Sequence, residues 1–478
     1  MLCQFVDKPF WGHHDWNSNV WTVTARNNIE HGIWCTGLGQ STTPTPIENC
    51  SQLRFYSNHP PLISWVLTLS YWWFGMSEWA GRLPLILIST GSVLLVMFIG
   101  NALVNLRTGL IASSLMLSTV MFQYFGVSLN HEPLIVFGVL WAVYAYIVWI
   151  QSKGISGFEW LIGSAVWVGL AGWHGYVVFG LLAGLTFFID RRLFIRSLIP
   201  IGVLIFMFGL VQVHIWWVSG EFNWGLFEQF LRRVSLGGEK TDHVAVSFGI
   251  VDFVKKQLVW ARSYYSSALL VGSGLYVAWL NVHWYREKRM RFSHGILAVL
   301  GLYGLSIIVV FNQQAWIHDY LLMFMMPFFS LTTAFVIDRF MNRFKKLGLM
   351  ISVLVIGIVF FENRAFFQAL VGREAERVYV DLAREINDVS DGDDRFWVEA
   401  PGFWEFAYPF VWNYAYGVSV SGGTHVLDDF IEDEVAFVDQ YDYVVLVQSH
   451  PVADDLHRYL EERYALIDRG SFSFVQLK

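Results

Sequence analysis

Two carboxylic acids in short polar segments are the strongest candidates for chemistry in this sequence. Asp15 lies in GHHDWN (residues 12–17), and Glu132 lies in NHEPL (residues 130–134). A carboxylate beside a substrate can accept the proton of an attacking hydroxyl, or it can ligate a metal ion. Each acid also has a plain structural interpretation. Asp15 could belong to a solvated loop, and Glu132 could simply begin a helix, because acids and Pro are favoured in the first turn.

The other candidates are cationic or aromatic side chains that could bind a sugar or a phosphate. They are His14 and His131 beside the two acids, His59 in YSNHPPL (56–62), Arg82 before Leu83-Pro84, Arg232 and Arg233 in LFEQFLRR (226–233), and His318 and Tyr320 in WIHDYLL (316–322). Segment 226–233 could equally be a solvated amphipathic helix, and Asp319 is expected to be a helix-start residue. The histidine spacings are not specific for a metal, so no metal ligand is assigned, although a divalent cation is compatible with them.

Membrane helices must position these residues, because the composition is not that of a soluble protein. The chain has 478 residues, of which 55% are hydrophobic and 15% are charged, whereas soluble domains carry about 25% charged residues. This excludes a compact soluble enzyme, a disordered chain and a disulfide scaffold. The net charge of −7 argues against binding to nucleic acid.

Apolar stretches long enough to cross a bilayer predict about ten transmembrane helices. The predicted spans are residues 83–105, 109–128, 133–151, 159–173, 175–190, 197–219, 264–283, 293–311, 319–339 and 347–362. Residues 62–74 are apolar but too short to span, so we expect a re-entrant or interfacial helix there.

Basic residues on every second short loop indicate the orientation. They are Arg107, Lys153, Arg191/Arg192/Arg196, Arg286/Lys288/Arg289/Arg291 and Arg339/Arg343/Lys345/Lys346. The positive-inside rule makes these loops cytoplasmic. The candidate site and the C-terminal tail then lie on the extracytoplasmic face of a multi-pass protein in a cell or inner membrane. With an even number of spans the N-terminus is also outside. Either a further helix lies upstream of this sequence, which we favour, or the first loop is translocated by the helix that follows it.

The tail from residue 363 has a different composition, with 22 acids and 9 bases. Strands are predicted at 396–400, 443–447 and 472–477, and helices at 373–388 and 452–464. We therefore divide the chain into a transmembrane domain (1–362, with outer loops 1–82 and 220–262) and a small acidic α/β domain (363–478). Cys35 and Cys50 share the first outer loop, where a disulfide and two free thiols are both compatible with the sequence.

The order of several short motifs resembles the GT-C superfamily of membrane glycosyltransferases. HHDWN, ARNNIEHG (25–32), YSNHPPL, SEWAGRLP (77–84), NHEPL and WIHDY follow one another as in the branch of protein O-mannosyltransferases and aminoarabinose transferases. The resemblance covers residues 8–340 and implies a polyprenyl-phosphate sugar as donor. Asp15 matches the essential acid of the family's first outer loop, and Glu132 matches the acid of the second. The family's paired acid is absent, because the neighbours of Asp15 are His14 and Trp16. The family's first membrane helix also has no counterpart here.

The resemblance implies transfer of a sugar from dolichyl- or undecaprenyl-phosphate to an acceptor hydroxyl outside the cytoplasm. A single displacement would invert the anomeric centre, with Asp15 as base and Glu132 positioning the acceptor or the sugar. Arg232 or Arg233 would bind the phosphate, and His318 and Tyr320 would lie near the sugar. The acceptor could be a protein, a lipid or a glycan.

The alternative is a membrane transporter or flippase for a lipid-linked sugar. Transporters carry ionisable groups near the bilayer midplane, whereas the middles of the predicted spans here are almost free of charge. The sequence therefore favours chemistry at the membrane surface over passage through it.

Overall fold

The structure is a computed structural model, and most of the chain in it is helical. It describes residues 5–43, 47, 49–220, 222–223, 225–234, 248–287, 291–373, 377–389, 394, 396–400, 416–419, 438, 441–447 and 458–477. The chain forms two compact units. The first comprises Met1–Val6, Ser57–Val66 and Trp79–Val371, and the second comprises Asp7–Tyr56, Leu67–Glu78 and Gly372–Lys478.

The helices follow one another with short connections. In chain order they are α1 (Trp16–Glu30), α2 (Ile33–Thr36), α3 (Leu62–Phe74), α4 (Glu78–Leu103), α5 (Leu106–Ser118), α6 (Val120–Phe125), α7 (His131–Gln151), α8 (Phe158–Ala171), α9 (Tyr176–Ile189), α10 (Arg191–Ser197), α11 (Ile199–Ser219), α12 (Gly225–Val234), α13 (Ile250–Tyr265), α14 (Ser267–Glu287), α15 (Phe292–Val310), α16 (Asn312–Ile317), α17 (Met326–Phe361), α18 (Arg364–Val371) and α19 (Arg377–Val389). Short 3-10 turns cover Cys50–Gln52, Trp173–Gly175 and Asp319–Met325.

Five helical segments among the described residues are long and apolar enough to cross a membrane. They are Glu78–Leu103, His131–Gln151, Arg191–Ser219, Phe292–Val310 and Asp319–Val371, and four shorter apolar helices accompany them. The outer surface of α11 shows the pattern that lipid contact requires, since Ile205, Phe206 and Trp217 are each more than half exposed. The chain is therefore a multi-pass membrane protein.

One of the predicted spans differs from the helices that form, and the count of ten is not confirmed. The predicted span 109–128 is divided because Thr119 has extended backbone angles and its hydroxyl accepts a hydrogen bond from the backbone N–H of Phe122 (3.2 Å). This caps α6 and ends α5. The predicted spans 319–339 and 347–362 lie in one continuous helical segment, and the non-helical backbone of Phe344 and Lys345 divides it inside the predicted connection between them.

Small residues let the membrane helices approach one another closely. A Cβ on Gly100 of α4 would lie 2.6 Å from Cα of Gly109 in α5, and one on Gly138 of α7 would lie 2.6 Å from the Trp167 ring in α8. Contacts of this kind are a main source of association between helices in a bilayer. At its C-terminal end α7 is held by Gln151, whose Nε2 donates to the carbonyl of Ala102 (3.3 Å).

The second unit contains the first outer loop and the strands of the tail. A five-stranded sheet has the order β2 (Tyr416–Ser419), β1 (Phe396–Ala400), β3 (Tyr443–Val447), β5 (Phe472–Gln476), β4 (Ala465–Asp468). β1 pairs in parallel with β2 and β3, while β5 pairs antiparallel with β3 and β4. Its buried core includes Trp397, Val444 and Val475.

Three of these strands lie where the sequence predicts them, and β2 and β4 were not predicted. Each of the two missed strands has only four residues and lies at an edge of the sheet. The predicted helix 452–464 ends at residue 461, and residues 451–457 lie outside the described part of the chain. The predicted domain boundary at residues 362–363 stays a prediction.

Candidate active site

Glu132 begins the most buried membrane helix of the first unit. Asn130 precedes α7, and its Oδ1 accepts a hydrogen bond from the N–H of His131 (3.0 Å). Glu132 follows in the first turn and is only 5% exposed. Its Oε2 has no hydrogen-bond partner among the residues that the structure describes. Burying a carboxylate oxygen without a hydrogen-bond donor costs free energy. A bound ligand that donates to Glu132 Oε2 would remove this cost, as expected of a binding residue.

Two imidazoles lie beside this acid. The rings of His59 and His131 stack with centroids 4.6 Å apart. Nδ1 of His131 donates to the carbonyl of Ala171 (3.0 Å), since a carbonyl oxygen can only accept. Burial lowers the pKa of His59 well below 6.5, and the positive charge of Arg233 lowers it further. His59 is therefore neutral at pH 7 and can donate or accept hydrogen bonds.

Hydrogen bonds from distant segments hold the loop that carries His59. Trp173 Nε1 donates to the carbonyl of Asn58 (3.0 Å), and Asn223 Nδ2 donates to that of Ser57 (2.8 Å). The Asn223 contact ties the segment directly before α12 to this loop, while Arg233 lies near the other end of α12. The end of α12 is fixed by Asn312, whose Nδ2 donates to the carbonyl of Val234 (3.1 Å).

A cavity of about 490 Å³ opens beside these residues. Its wall is largely apolar and aromatic, and its polar groups are His174, Tyr176, Gln212, Asn223 and Arg233. Arg233 is close enough to interact electrostatically with Glu132, His59 and His174. The described residues of the cavity therefore combine one cationic side chain, several polar groups that can form hydrogen bonds, and an apolar wall.

A second cluster in the same unit contains His318 and Tyr320, whose rings stack at 4.9 Å. Tyr320 also contacts the ring of Phe125 (5.9 Å). Asp319 begins the 3-10 turn Asp319–Met325, as a helix-start residue was expected to, and its Oδ2 accepts a hydrogen bond from the hydroxyl of Tyr264 (2.5 Å).

Arg82 lies inside the first unit and is 3% exposed. Its Nη1 donates to the carbonyl of Val6 (3.0 Å), and its guanidinium lies 6.0 Å from the centroid of the Phe5 ring. These contacts hold the beginning of the first outer loop. The side chain of Arg232 lies outside the described residues, so the structure places only its backbone, in α12.

Asp15 and His14 belong to the second unit. The Asp15 carboxylate accepts hydrogen bonds from the N–H of Gly12 (2.8 Å) and the hydroxyl of Ser18 (3.3 Å), directly before α1. His14 has a positive φ of 64°, and its ring lies 4.0 Å from that of His13. Nδ1 of His13 accepts from Arg373 (3.0 Å). The GHHDWN segment is thus an ordered turn.

The motif ARNNIEHG has a structural role in the second unit. Asn27 Nδ2 donates to the carbonyl oxygens of Ser41 (3.2 Å) and Thr43 (2.8 Å), and Asn28 Nδ2 donates to the hydroxyl of Thr68 (3.1 Å). Nearby, Cys35 and Cys50 form a disulfide with a Cα–Cα distance of 5.3 Å. This decides between the two states that the sequence left open.

Sequence reasoning missed four polar residues of the cavity, namely His174, Tyr176, Gln212 and Asn223. His174 is buried in the turn Trp173–Gly175, which from sequence alone reads as a tight hairpin between two short spans. Gln212 did carry a signal, because it is an amide within the otherwise apolar helix α11.

Comparisons with known proteins bear on this arrangement. Residues 58–217 match the family model described as dolichyl-phosphate-mannose-protein mannosyltransferase. The matched segment begins one residue before His59 and contains Arg82, His131, Glu132 and His174. No curated protein sequence matches the chain.

Solved structures extend the likeness over the whole chain. The structure of ArnT from Cupriavidus metallidurans bound to undecaprenyl phosphate matches with a TM-score of 0.65 at 13% identity, covering 99% of this chain and 95% of that one. Its apo state matches with a TM-score of 0.59 at 14% identity, covering 96% and 93%. The chain has a GT-C fold. An oligosaccharyltransferase from Archaeoglobus fulgidus, solved with zinc and sulfate, shares this fold at a TM-score of 0.56 and 12% identity, over 92% of this chain and 64% of that one.

The predicted resemblance to GT-C glycosyltransferases is confirmed, and so is the prediction of a glycosyltransferase. A shared fold alone does not indicate an activity. The family match does, because residues 58–217 match a model described as a mannosyltransferase. Asp15, Arg233, His318 and Tyr320 lie outside that segment.

Proposed function

We propose that this protein transfers a sugar from a polyprenyl-phosphate donor, dolichyl- or undecaprenyl-phosphate, to an acceptor hydroxyl on the extracytoplasmic face of the membrane. The observation that carries the proposal is the cavity beside Glu132. Its aromatic wall suits a polyprenyl chain, and Arg233 suits the phosphate, because a guanidinium can bind phosphate oxygens with two parallel hydrogen bonds. The ArnT structure with undecaprenyl phosphate is a GT-C example of such a ligand.

The proposed reaction is a single displacement that inverts the anomeric centre. The acceptor oxygen forms a bond to the anomeric carbon while the bond from that carbon to the phosphate oxygen breaks. The electron pair leaves with the phosphate, and Arg233 stabilises the negative charge that develops there. The hydroxyl proton passes to the carboxylate of Asp15.

Asp15 is proposed as the base because it matches the family's acid. An unperturbed Asp has a pKa of about 3.9 and is a weak base, so it acts late, when the attacking hydroxyl has already become acidic. Glu132, buried and with an oxygen available for a ligand, is proposed to position the acceptor or the sugar. His14, His59, His131, His318 and Tyr320 are proposed to contact the substrates, and Arg82 and Arg232 stay predictions of the same kind.

A divalent cation also stays a prediction, and it would act by neutralising charge on the donor phosphate. Chelation with EDTA followed by re-addition of Mg²⁺, Mn²⁺ or Zn²⁺ tests it through the transfer rate. The acceptor class, whether protein, lipid or glycan, is best found by comparing glycans and glycoproteins of cells with and without this protein.

Purified protein in detergent, supplied with a labelled polyprenyl-phosphate sugar and candidate acceptors, tests the proposal. We expect a new glycosidic bond and loss of its formation in Asp15→Asn with an unchanged melting temperature. A transporter or flippase would instead move the lipid-linked sugar across liposomes without forming that bond. Full transfer activity in Asp15→Asn would remove Asp15 from the role of base.

A further inference from the structure

A second large cavity lies at the opposite end of α7 from Glu132. It has a volume of about 540 Å³ and lies between the end of α4 and the facing parts of α15 and α17. Leu103 lines it and directly follows Ala102, which binds the last residue of α7. Since α7 has 21 residues, this end lies about 30 Å from Glu132. The cavity is therefore separate from the proposed transfer site.

The single acid that lines this cavity is fully compensated. Asp338 is 2% exposed, and its Oδ1 accepts from Arg107 through Nη2 (2.5 Å) and Nε (2.7 Å). Asn105 Nδ2 also donates to Oδ1 (3.3 Å), and Asn342 Nδ2 donates to Oδ2 (3.1 Å). These contacts compensate the negative charge of Asp338, so Asp338 does not neutralise the other cations of the wall.

Three further arginines line the cavity, and two of them, Arg339 and Arg343, have no acidic partner among the described residues, so they leave the wall positively charged. Arg291 comes from the start of α15, and Arg339 and Arg343 come from successive turns of α17. The three belong to two of the basic clusters that the positive-inside rule assigns to the cytoplasmic face.

Stacking positions one of these guanidinium groups. The Cζ atom of Arg339 lies 5.1 Å from the centroid of the Trp279 ring and 5.2 Å from that of Phe335. A cation–π contact uses the flat face of the guanidinium, so its N–H edge is left to bind an anion. Arg343 is one helical turn away, on the same face of α17.

We propose that this cavity binds the phosphate headgroup of an anionic membrane lipid. Arginine is the residue best suited to phosphate, and basic pockets between membrane helices on the cytoplasmic side suit lipid headgroups. Leu103, Val104 and Phe335 line the same cavity. Apolar walls beside the arginines favour a phosphate that carries acyl chains over a free, hydrated one. The bound lipid stabilises the end of the helix bundle away from the transfer site.

Lipid retention by the full-length protein tests the proposal. The wild type is placed in nanodiscs that contain phosphatidylglycerol and phosphatidylcholine, and the retained lipid is measured by native mass spectrometry. We expect phosphatidylglycerol to be enriched, and Arg339→Gln/Arg343→Gln to weaken that enrichment about tenfold. The matched control is Arg191→Gln/Arg192→Gln, which removes the same charge from another basic loop of the same predicted face and should behave as the wild type.

The single variant Arg343→Gln tests the proposal even if the double variant misfolds. Arg343 is exposed and makes no hydrogen bond or ion pair within the described part of the chain, so this variant keeps its melting temperature in detergent and still loses enrichment. Equal enrichment in the pocket and control variants would overturn the proposal. Binding of inorganic phosphate without preference for phosphatidylglycerol would overturn its assignment to a lipid. Neither outcome depends on sugar transfer.

Discussion

Replacing Arg233 with Gln tests the electrostatic argument of the site most directly. The substitution removes the guanidinium that interacts with Glu132, His59 and His174, while it keeps a polar, shorter side chain. If Arg233 binds the donor phosphate, the variant loses a hydrogen bond to a charged group, which contributes about 1.5–3 kcal/mol.

Arg233 is only partly buried, so solvent screening places the loss near the lower end of that range. A loss of about 1.5–2 kcal/mol corresponds to a decrease of about 10- to 30-fold in kcat/KM for the donor, since 1.4 kcal/mol is tenfold. Arg233→Lys keeps the charge but loses the two-pronged geometry, so its activity should lie between those of the wild type and Arg233→Gln.

Initial rates of transfer from a labelled polyprenyl-phosphate sugar, measured over a range of donor concentrations, give this ratio. Arg192→Gln is the matched control, because it removes one exposed arginine from α10, which does not line the cavity. A second readout is the pH profile. The charge of Arg233 lowers the pKa of His59, so the variant should lose activity at a higher pH than the wild type as the pH falls. A donor kcat/KM within about twofold of the wild type, with an unmoved pH profile, would refute the reasoning.

Three further predictions concern stability and the buried acid. The pKa of His59 in the folded protein lies below the unfolded value of 6.5, so His59 is neutral when folded. Its contribution to the free energy of unfolding is therefore complete above pH 6.5. That contribution is lost as the pH falls, at no more than about 1.4 kcal/mol per pH unit. The free energy of unfolding, measured by denaturant titration, should therefore fall less steeply with decreasing pH in His59→Gln than in the wild type. Equal slopes against pH in the two proteins would contradict this. Removing the Cys35–Cys50 disulfide, which closes a 15-residue separation, should cost about 3 kcal/mol. Reductant should lower the melting temperature of the wild type and leave that of the Cys35→Ser/Cys50→Ser variant unmoved, whereas an equal effect on both would argue against the bond. Glu132→Gln should lower kcat about 100-fold through lost positioning, while Glu159→Gln, which changes the first-turn acid of α8, should leave it unchanged; equal rates in the two variants would exclude the role of Glu132.

The membrane helices could be predicted where the apolar pattern was unbroken. The predicted span 133–151 lies within α7, and the predicted helix 62–74 has the observed bounds. The division at Thr119 was missed because a hydroxyl that caps a helix looks, in hydropathy, like any other polar residue in an apolar stretch. The bend at Phe344 and Lys345, by contrast, falls between the predicted spans 319–339 and 347–362, where basic residues interrupt the apolar pattern.

The candidate site was partly predictable, because its charged members are rare among apolar residues. Glu132, His131, His59 and Arg233 were identified individually, and the structure brings them together in the first unit. Their grouping depends on contacts between segments more than a hundred residues apart, such as that of Asn223 with Ser57. No local pattern encodes such a contact. His174 was missed for the same reason, since a single histidine in a turn has no periodicity.

The length of α7 bears on which acceptors the proposed transferase can use. This helix is buried along most of its length and is held at both ends, by the Asn130 cap and by Gln151. At 21 residues its rise is about 31 Å, close to the thickness of the hydrocarbon layer. If α7 crosses the hydrocarbon layer, Glu132 in its first turn lies at the boundary between hydrocarbon and headgroups. For the proposed transferase, an acceptor would then have to present its hydroxyl at the membrane surface, which would favour a flexible or lipid-anchored acceptor over a hydroxyl buried in a rigid fold.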